Sequence, residues 1–142
     1  MMDQILTICA ANICRSPMAG GLLQLLLPGS TVVSAGLYAV DGNPIDPTIA
    51  TLLEGHGVDS NDHRSRRANQ KMFEKADLIL VMESAHKRAI ERKFPQGRGK
   101  VFCLDPDEDV SDPYGRPWAI YEQTAARIAR HTTEWARRIS LL

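Results

Sequence analysis

The sequence predicts an α/β fold, a three-layer sandwich in which a four-stranded parallel sheet carries helices on both faces. Two observations lead there. Short runs rich in branched apolar residues alternate with longer segments of helical character, the pattern of a parallel sheet with crossover helices. The first and third runs are apolar almost throughout, as strands buried on both faces are.

The elements are read in order. "QILTIC" at 4–9 is the first strand, and a helix from Pro17 to Leu27 follows, stopped by Pro28-Gly29. Proline suits the first helical position, and Ser16 before it is placed to cap the free amides. "STVVS" at 30–34 is the second strand, and a helix spans Pro47 to His56. The polar stretch Asp59 to Gln70 reads as a surface loop, followed by a short helix near Asn69 to Lys75. "DLILVM" at 77–82 and "KVFCL" at 100–104 are the last two strands, separated by a helix from Ser84 to Phe94. The final helix carries a stripe at spacings of three and four: Trp118, Tyr121, Ala125, Ile128, Thr132, Trp135, Ile139 and Leu142. Such a stripe faces a core. Trp118 either starts it or lines a pocket, and the spacing favours the stripe.

The 142 residues form one expected domain, 1–142, long enough to bury a core. Seventeen basic residues balance seventeen acidic ones, so net charge points to no nucleic-acid partner. No apolar run is long enough to insert in a membrane, and no leader pattern opens the chain, so a cytoplasmic protein is expected. Three cysteines argue against a disulfide framework and leave a thiol free for chemistry.

The tract "CAANICRSPMAG" at 9–20 joins the first strand to the first helix. A helix N-terminus offers free amides and positive potential, hence an anion site. Arg15 adds a planar fork suited to phosphate. The same field favours a thiolate at Cys9, and a thiolate is a nucleophile. Five residues separate Cys9 from Arg15. A loop of that length can curl around one oxyanion, with the amides of Ala10, Ala11, Asn12, Ile13 and Cys14 lining the ring. The alternative is a buried structural thiol beside a surface arginine. The arginine, serine and proline together favour the phosphate-binding loop. The Gly-Lys-Ser/Thr ending of a nucleotide triphosphatase is absent. An ester leaving group needs a proton, and Asp112 in the turn "SDPYG" can supply it. An aromatic, Tyr114, follows it.

These motifs resemble the low-molecular-weight protein tyrosine phosphatases over nearly the whole chain. The carriers are Cys9 to Ser16 with "PMA" after it, "DPYG" at 112–115, "SAG" at 34–36, "HRSR" at 63–66 and "DLILVME" at 77–83. "SAGLYA" and "RGKV" look most like the bacterial branch associated with capsule and exopolysaccharide export. That resemblance implies a phosphotyrosine protein as partner, a tyrosine autokinase, with inorganic phosphate or a similar oxyanion fitting the loop. It implies no cofactor and no metal. Cys9 would form a cysteinyl-phosphate, Arg15 and the loop amides would hold the equatorial oxygens, and Asp112 would act as acid and then base. Ser16 would assist Cys9, and Asn12 would hold the loop through Ser34 and His63. Cys14 matches a second loop cysteine whose disulfide with Cys9 would protect the nucleophile. Cys103 reads as core. Tyr114 and the segment Tyr38 to Val40 would rim a slot deep enough for a phenyl ring.

Ala11 departs from the family, which carries glycine there. If that position needs a left-handed or crowded backbone, alanine costs on the order of 1 kcal/mol and slows the enzyme. Three other readings compete. Thiol-dependent arsenate reductases relay oxidation through two further cysteines, and only Cys103 lies downstream. Arginine phosphatases of the family carry threonine where Ile13 stands. A binding module without chemistry is opposed by Cys9, Arg15 and Asp112 together.

Overall fold

The computed structural model describes residues 2–142. Four strands form one parallel sheet: β1 (Gln4–Cys9), β2 (Thr31–Gly36), β3 (Leu78–Val81) and β4 (Val101–Cys103). Their order is β2-β1-β3-β4. The helices are α1 (Arg15–Leu26), α2 (Pro47–Glu54), α3 (Gln70–Lys75), α4 (Ser84–Lys93) and α5 (Trp118–Ser140), with a short 3₁₀ turn at Pro95–Gly97.

Successive strand residues point to opposite faces, and both faces are covered. Ile5, Leu78 and Leu80 join the core cluster that includes α1, α2 and α5 residues. Leu6, Ile8, Ile79 and Val81 join the cluster that includes Phe73 and Ile90 from α3 and α4. Hence β1 and β3 show no polar alternation, and the three-layer expectation holds. β1 lies between β2 and β3, so the chain leaves β1 to one side and later returns on the other. The carboxyl end of β1 is therefore the crevice where ligands bind in such sheets.

The strand expectations hold with shifted ends. β2 runs on to Gly36, because Gly36 pairs in register with Cys9. Helix α2 starts where Asp46 accepts hydrogen bonds from the Thr48 and Ile49 amides, with Pro47 after it. Asn69 caps α3 by accepting from the Met72 amide.

Four expectations need correction. Helix α1 begins at Arg15, two residues before Pro17, and Ser16 does not cap it. The position before the helix is Cys14, which makes no side-chain cap. Trp118 is 49% exposed and does not start the core stripe. At the other end, Leu142 lies beyond the helix and is exposed. The tract 59–70 is not only a surface loop. Ser65 is buried, and Arg67 and Arg64 bridge to Gly36 and Pro44. The rest of the stripe faces inward, with Ala136 buried beside it. Trp135 is half-buried and donates its indole N–H to the Leu104 carbonyl at 2.8 Å. Cys103 packs half-buried against the second cluster.

Gly36 sits where sheet and loop meet. A Cβ there would lie 2.5 Å from the Ala10 carbonyl oxygen and 3.0 Å from the Asn12 amide nitrogen. Both are backbone atoms and cannot rotate aside. Gly36→Ala should therefore cost about 2–3 kcal/mol in urea unfolding, the scale of an overpacked core. It should also weaken inorganic phosphate binding by calorimetry, because the displaced atoms belong to the loop.

Candidate active site

The register of β1 sends Cys9 to the same face as Ile5 and Thr7, beneath α1. Cys9 is 2% exposed, at the foot of the α1 N-terminus. Its Sγ lies 2.9 Å from Ser16 Oγ, and the Ser16 amide donates to Sγ at 3.4 Å. The sulfur therefore sits against a backbone amide, a hydroxyl and the N-terminal end of α1. Ser16 therefore serves the sulfur, not the helix end.

Asn12 shapes the loop. Its φ is +59°, the left-handed region, and among the described residues it is the one non-glycine residue there. Asparagine tolerates that conformation better than most residues. Its Nδ2 donates to Ser16 Oγ at 2.8 Å and to Ser34 Oγ at 2.9 Å. Its Oδ1 accepts from the Arg66 amide at 3.0 Å. Its carbonyl accepts from His63 Nε2 at 2.8 Å. A carbonyl only accepts, so the proton of His63 sits on Nε2. Burial lowers the basicity of His63, and Arg66 and Arg64 add to that against the carbonyl bond, which opposes it.

Ala11 is exposed, and its φ is not positive. The left-handed residue is Asn12, one place later, so alanine carries no such penalty. Amides of Ala11, Asn12, Ile13 and Cys14 donate to no other group among the described residues. They remain available to a ligand.

Arg15 is 2% exposed and pinned from outside the loop. Its Nη1 donates to Glu83 Oε2 at 2.5 Å and to the Val110 carbonyl at 2.6 Å. Cys9, Ala11, Ile13, Cys14, Arg15, Asp112 and Tyr114 together line a cavity of about 150 Å³. The structure thus brings Asp112 to the loop. Asp112 is exposed and accepts from the Tyr114 amide at 3.0 Å, which fixes the turn. Tyr114 is 62% exposed at the mouth. Tyr38 and Val40 are also exposed but do not line this cavity. Their segment is tied beside the loop, since the Tyr38 amide donates to the Ala10 carbonyl and Ser65 Oγ to the Val40 carbonyl. A larger cavity, about 450 Å³, lies between α1, β2 and the 57–66 segment, and neither Cys9 nor Asp112 lines it.

Cys14 is buried, and all three cysteines are reduced. Burial chiefly, then the Asp46 carboxylate, pushes its thiol far up, so it stays protonated. Asp46 has a further role that the sequence did not disclose. Its amide donates to the Ile13 carbonyl at 3.0 Å, and its Oδ2 accepts from Tyr121 Oη at 2.8 Å. The Asp46-Pro47 pair signals a cap, but nothing local signals Tyr121. Glu83 and Ser65 were missed as well. Glu83 lies in a motif that reads simply as the end of a strand.

A strand, a cysteine-to-arginine loop that leaves its amides free, and a helix N-terminus define the class of phosphate ester hydrolases. The model of the family "Low molecular weight phosphotyrosine protein phosphatase" matches residues 4–141, and the chain belongs to that family. It is 42% identical over 144 residues to the "Probable low molecular weight protein-tyrosine-phosphatase EpsP" of Ralstonia solanacearum, covering 100% of this chain and 99% of that one. The solved structure of Vibrio vulnificus Wzb in complex with benzylphosphonate superposes with a TM-score of 0.92 at 32% identity, covering 97% of this chain and 99% of that one. The YwlE arginine phosphatase of Geobacillus stearothermophilus also reaches 0.92 at 32% identity, covering 98% and 94%.

Because Ala11 is not in the left-handed region, Ala11→Gly should leave turnover of an aryl phosphate within about twofold, with no energy of strain to recover. His63 has a folded-state pKa below its ordinary 6.5, so the unfolded chain binds that proton more readily. Its contribution to stability is complete above pH 6.5 and is lost as pH falls below it. The urea midpoint should drop as pH is lowered through that window, and less steeply in His63→Asn.

Proposed function

We propose that this chain hydrolyses phosphotyrosine in proteins through a cysteinyl-phosphate intermediate, with residues 1–142 as one phosphatase domain. The observation that carries the reading is the cavity where Cys9, Arg15 and Asp112 meet.

In the first step the Cys9 thiolate attacks phosphorus and the bond to the phenolic oxygen breaks. Asp112, as the acid, gives that oxygen its proton. Arg15 and the free loop amides take up the charge on the equatorial oxygens. Glu83 and the Val110 carbonyl engage only Nη1 of Arg15, and the rest of the fork is left for phosphate. In the second step water attacks phosphorus, the Asp112 carboxylate takes its proton, and the P–S bond breaks. Ser16 Oγ, 2.9 Å from the sulfur, donates to the departing thiolate. Cys14 lines the same cavity, and the protective role proposed for it is attack on a Cys9 sulfenic acid formed by a peroxide, giving the disulfide and water; its raised pKa slows that step, because the thiolate is the attacking form.

The substrate we propose is a tyrosine autokinase of polysaccharide export, acted on in the cytoplasm. The family wording "SAGLYA" and "RGKV" supports it. Among the described residues no helix is long and apolar enough to cross a membrane. A phosphoarginine substrate is the second reading, because the YwlE arginine phosphatase shares the fold. Ile13 weighs against it. The side chain is half-buried, packs on the core and presents an apolar wall to the cavity, which suits an aryl ring better than a guanidinium.

Cys9→Ser should abolish hydrolysis of p-nitrophenyl phosphate, by about four orders of magnitude. Asp112→Ala should lose about 10²–10³-fold and retain phosphate binding. Full turnover by Cys9→Ser would refute the mechanism. A phosphotyrosine peptide should outpace a phosphoarginine peptide by more than about tenfold, the scale of pocket discrimination. Partners held by Asp112→Ala would identify the substrate.

A further inference from the structure

Helix α4 starts in an unusual way. Glu83 occupies the position before the helix, where a side chain normally caps, yet its carboxylate caps nothing. The Ser84 amide is satisfied instead by Asp109 Oδ1 at 2.9 Å, from the segment after β4. That external cap leaves Glu83 free to reach Arg15. One turn along, His86 is buried, 5% exposed, on the side of α4 that faces Glu83. Its Nε2 lies 3.7 Å from Glu83 Oε2, the same oxygen that Arg15 Nη1 holds. At that distance the contact is electrostatic, not a direct hydrogen bond. Its Nδ1 is buried without a partner among the described residues.

We propose that His86 is a positioning residue for Arg15, acting through Glu83. The inference rests on the phosphatase reading of the loop. Glu83 is a third exposed, and a long carboxylate at a surface has rotamers that point to water. A dipole fixed behind it biases the one rotamer in which Oε2 meets Arg15. The tautomer with its proton on Nε2 presents the positive end of that dipole to the carboxylate and leaves Nδ1 a bare acceptor. A charged ring would bury a second N–H without a partner. Burial, the largest influence, lowers the basicity of His86; Glu83 and Asp109 oppose that and Arg15 adds to it. The neutral ring therefore faces Glu83 on its own helix, Arg15 on α1 and Asp109 after β4. Supporting groups of this kind, which touch a ligand's partner and not the ligand, commonly change affinity or rate by about tenfold or more.

The tautomer makes the test specific. A glutamine amide nitrogen falls near the place of Nε2, whereas an asparagine amide nitrogen falls near Nδ1. His86→Gln should keep kcat/KM for p-nitrophenyl phosphate within about twofold, while His86→Asn and His86→Leu lose about fivefold to tenfold. Inhibition by orthovanadate should weaken in parallel, since it too depends on Arg15. Thermal midpoints should not follow that ranking. In a Glu83→Gln background, His86→Leu should cost less than about twofold, because the pair acts as a unit. Three results would overturn the proposal: unchanged kinetics in both His86→Asn and His86→Leu, equal losses in His86→Gln and His86→Leu, or an undiminished loss in the Glu83→Gln background. Should the wild type hydrolyse no aryl phosphate, the phosphatase reading fails separately. Calorimetric binding of inorganic phosphate by the same variants then reads the positioning of Arg15 without turnover.

Discussion

Four successive amides, Ala11 to Cys14, donate to nothing among the described residues, so the loop between β1 and α1 draws no hydrogen bonds of its own from them. A loop shaped in that way has to be held from behind. Asn12 does this from the left-handed backbone position that makes the turn. Its side chain and carbonyl reach α1 through Ser16, β2 through Ser34, and the 63–66 segment through His63 and the Arg66 amide. The same serine that Asn12 grips is the one beside the sulfur of Cys9. Loop shape and the surroundings of the Cys9 sulfur are thus one network. Gly36 completes it by letting β2 approach the loop more closely than a side chain would allow.

A second set of supports holds charge. Arg15 is almost fully buried, and an unpaired guanidinium there would be costly. Glu83 and the Val110 carbonyl settle one nitrogen of the fork. Val110 belongs to the segment that continues to Asp112, so the group that orients the arginine also helps place that carboxylate. Farther along, Arg127 donates to Asp105 Oδ2 through Nε and Nη2, at 3.0 and 2.7 Å, and to the Glu108 carbonyl. The segment that leads to Asp112 is therefore fastened to α5 as well as to the loop. Asp46 plays the corresponding part on the other side, joining Ile13 to Tyr121.

Local patterns carried most of the fold. The apolar runs of β1 and β3 show no alternation because both faces are covered, and together with the helical segments between the strands that marks a parallel sheet with helices on each side. Cys9, Arg15 and Asp112 were legible because their types and settings are unusual. Ser16 was read in two ways, as a helix cap and through the family resemblance as a partner of Cys9, and only the second matches its place beside the sulfur. The usual helix-start rules place it as a cap, whereas free amides are what this helix end is for. Ala11 drew attention through its departure from a family pattern, yet the strained backbone lies at its neighbour. Trp118 fits the helical spacing and is nonetheless half exposed, since the spacing gives a face but not the extent of the core beneath it.

The sequence by itself determined the strands, the helices and the loop from Cys9 to Arg15 that joins β1 to α1, because each depends on residues a few positions apart. Tertiary structure decided the rest. Only the packed fold brings Asp112 to Cys9, turns Glu83 away from its own helix toward Arg15, and folds the polar tract 59–70 back so that His63 and Arg66 support Asn12. Those pairings join segments distant along the chain. Their residue types, a carboxylate before a helix or a histidine in a polar stretch, serve equally well at a solvated surface. Burial and a partner make them functional, and both arise only when the layers close.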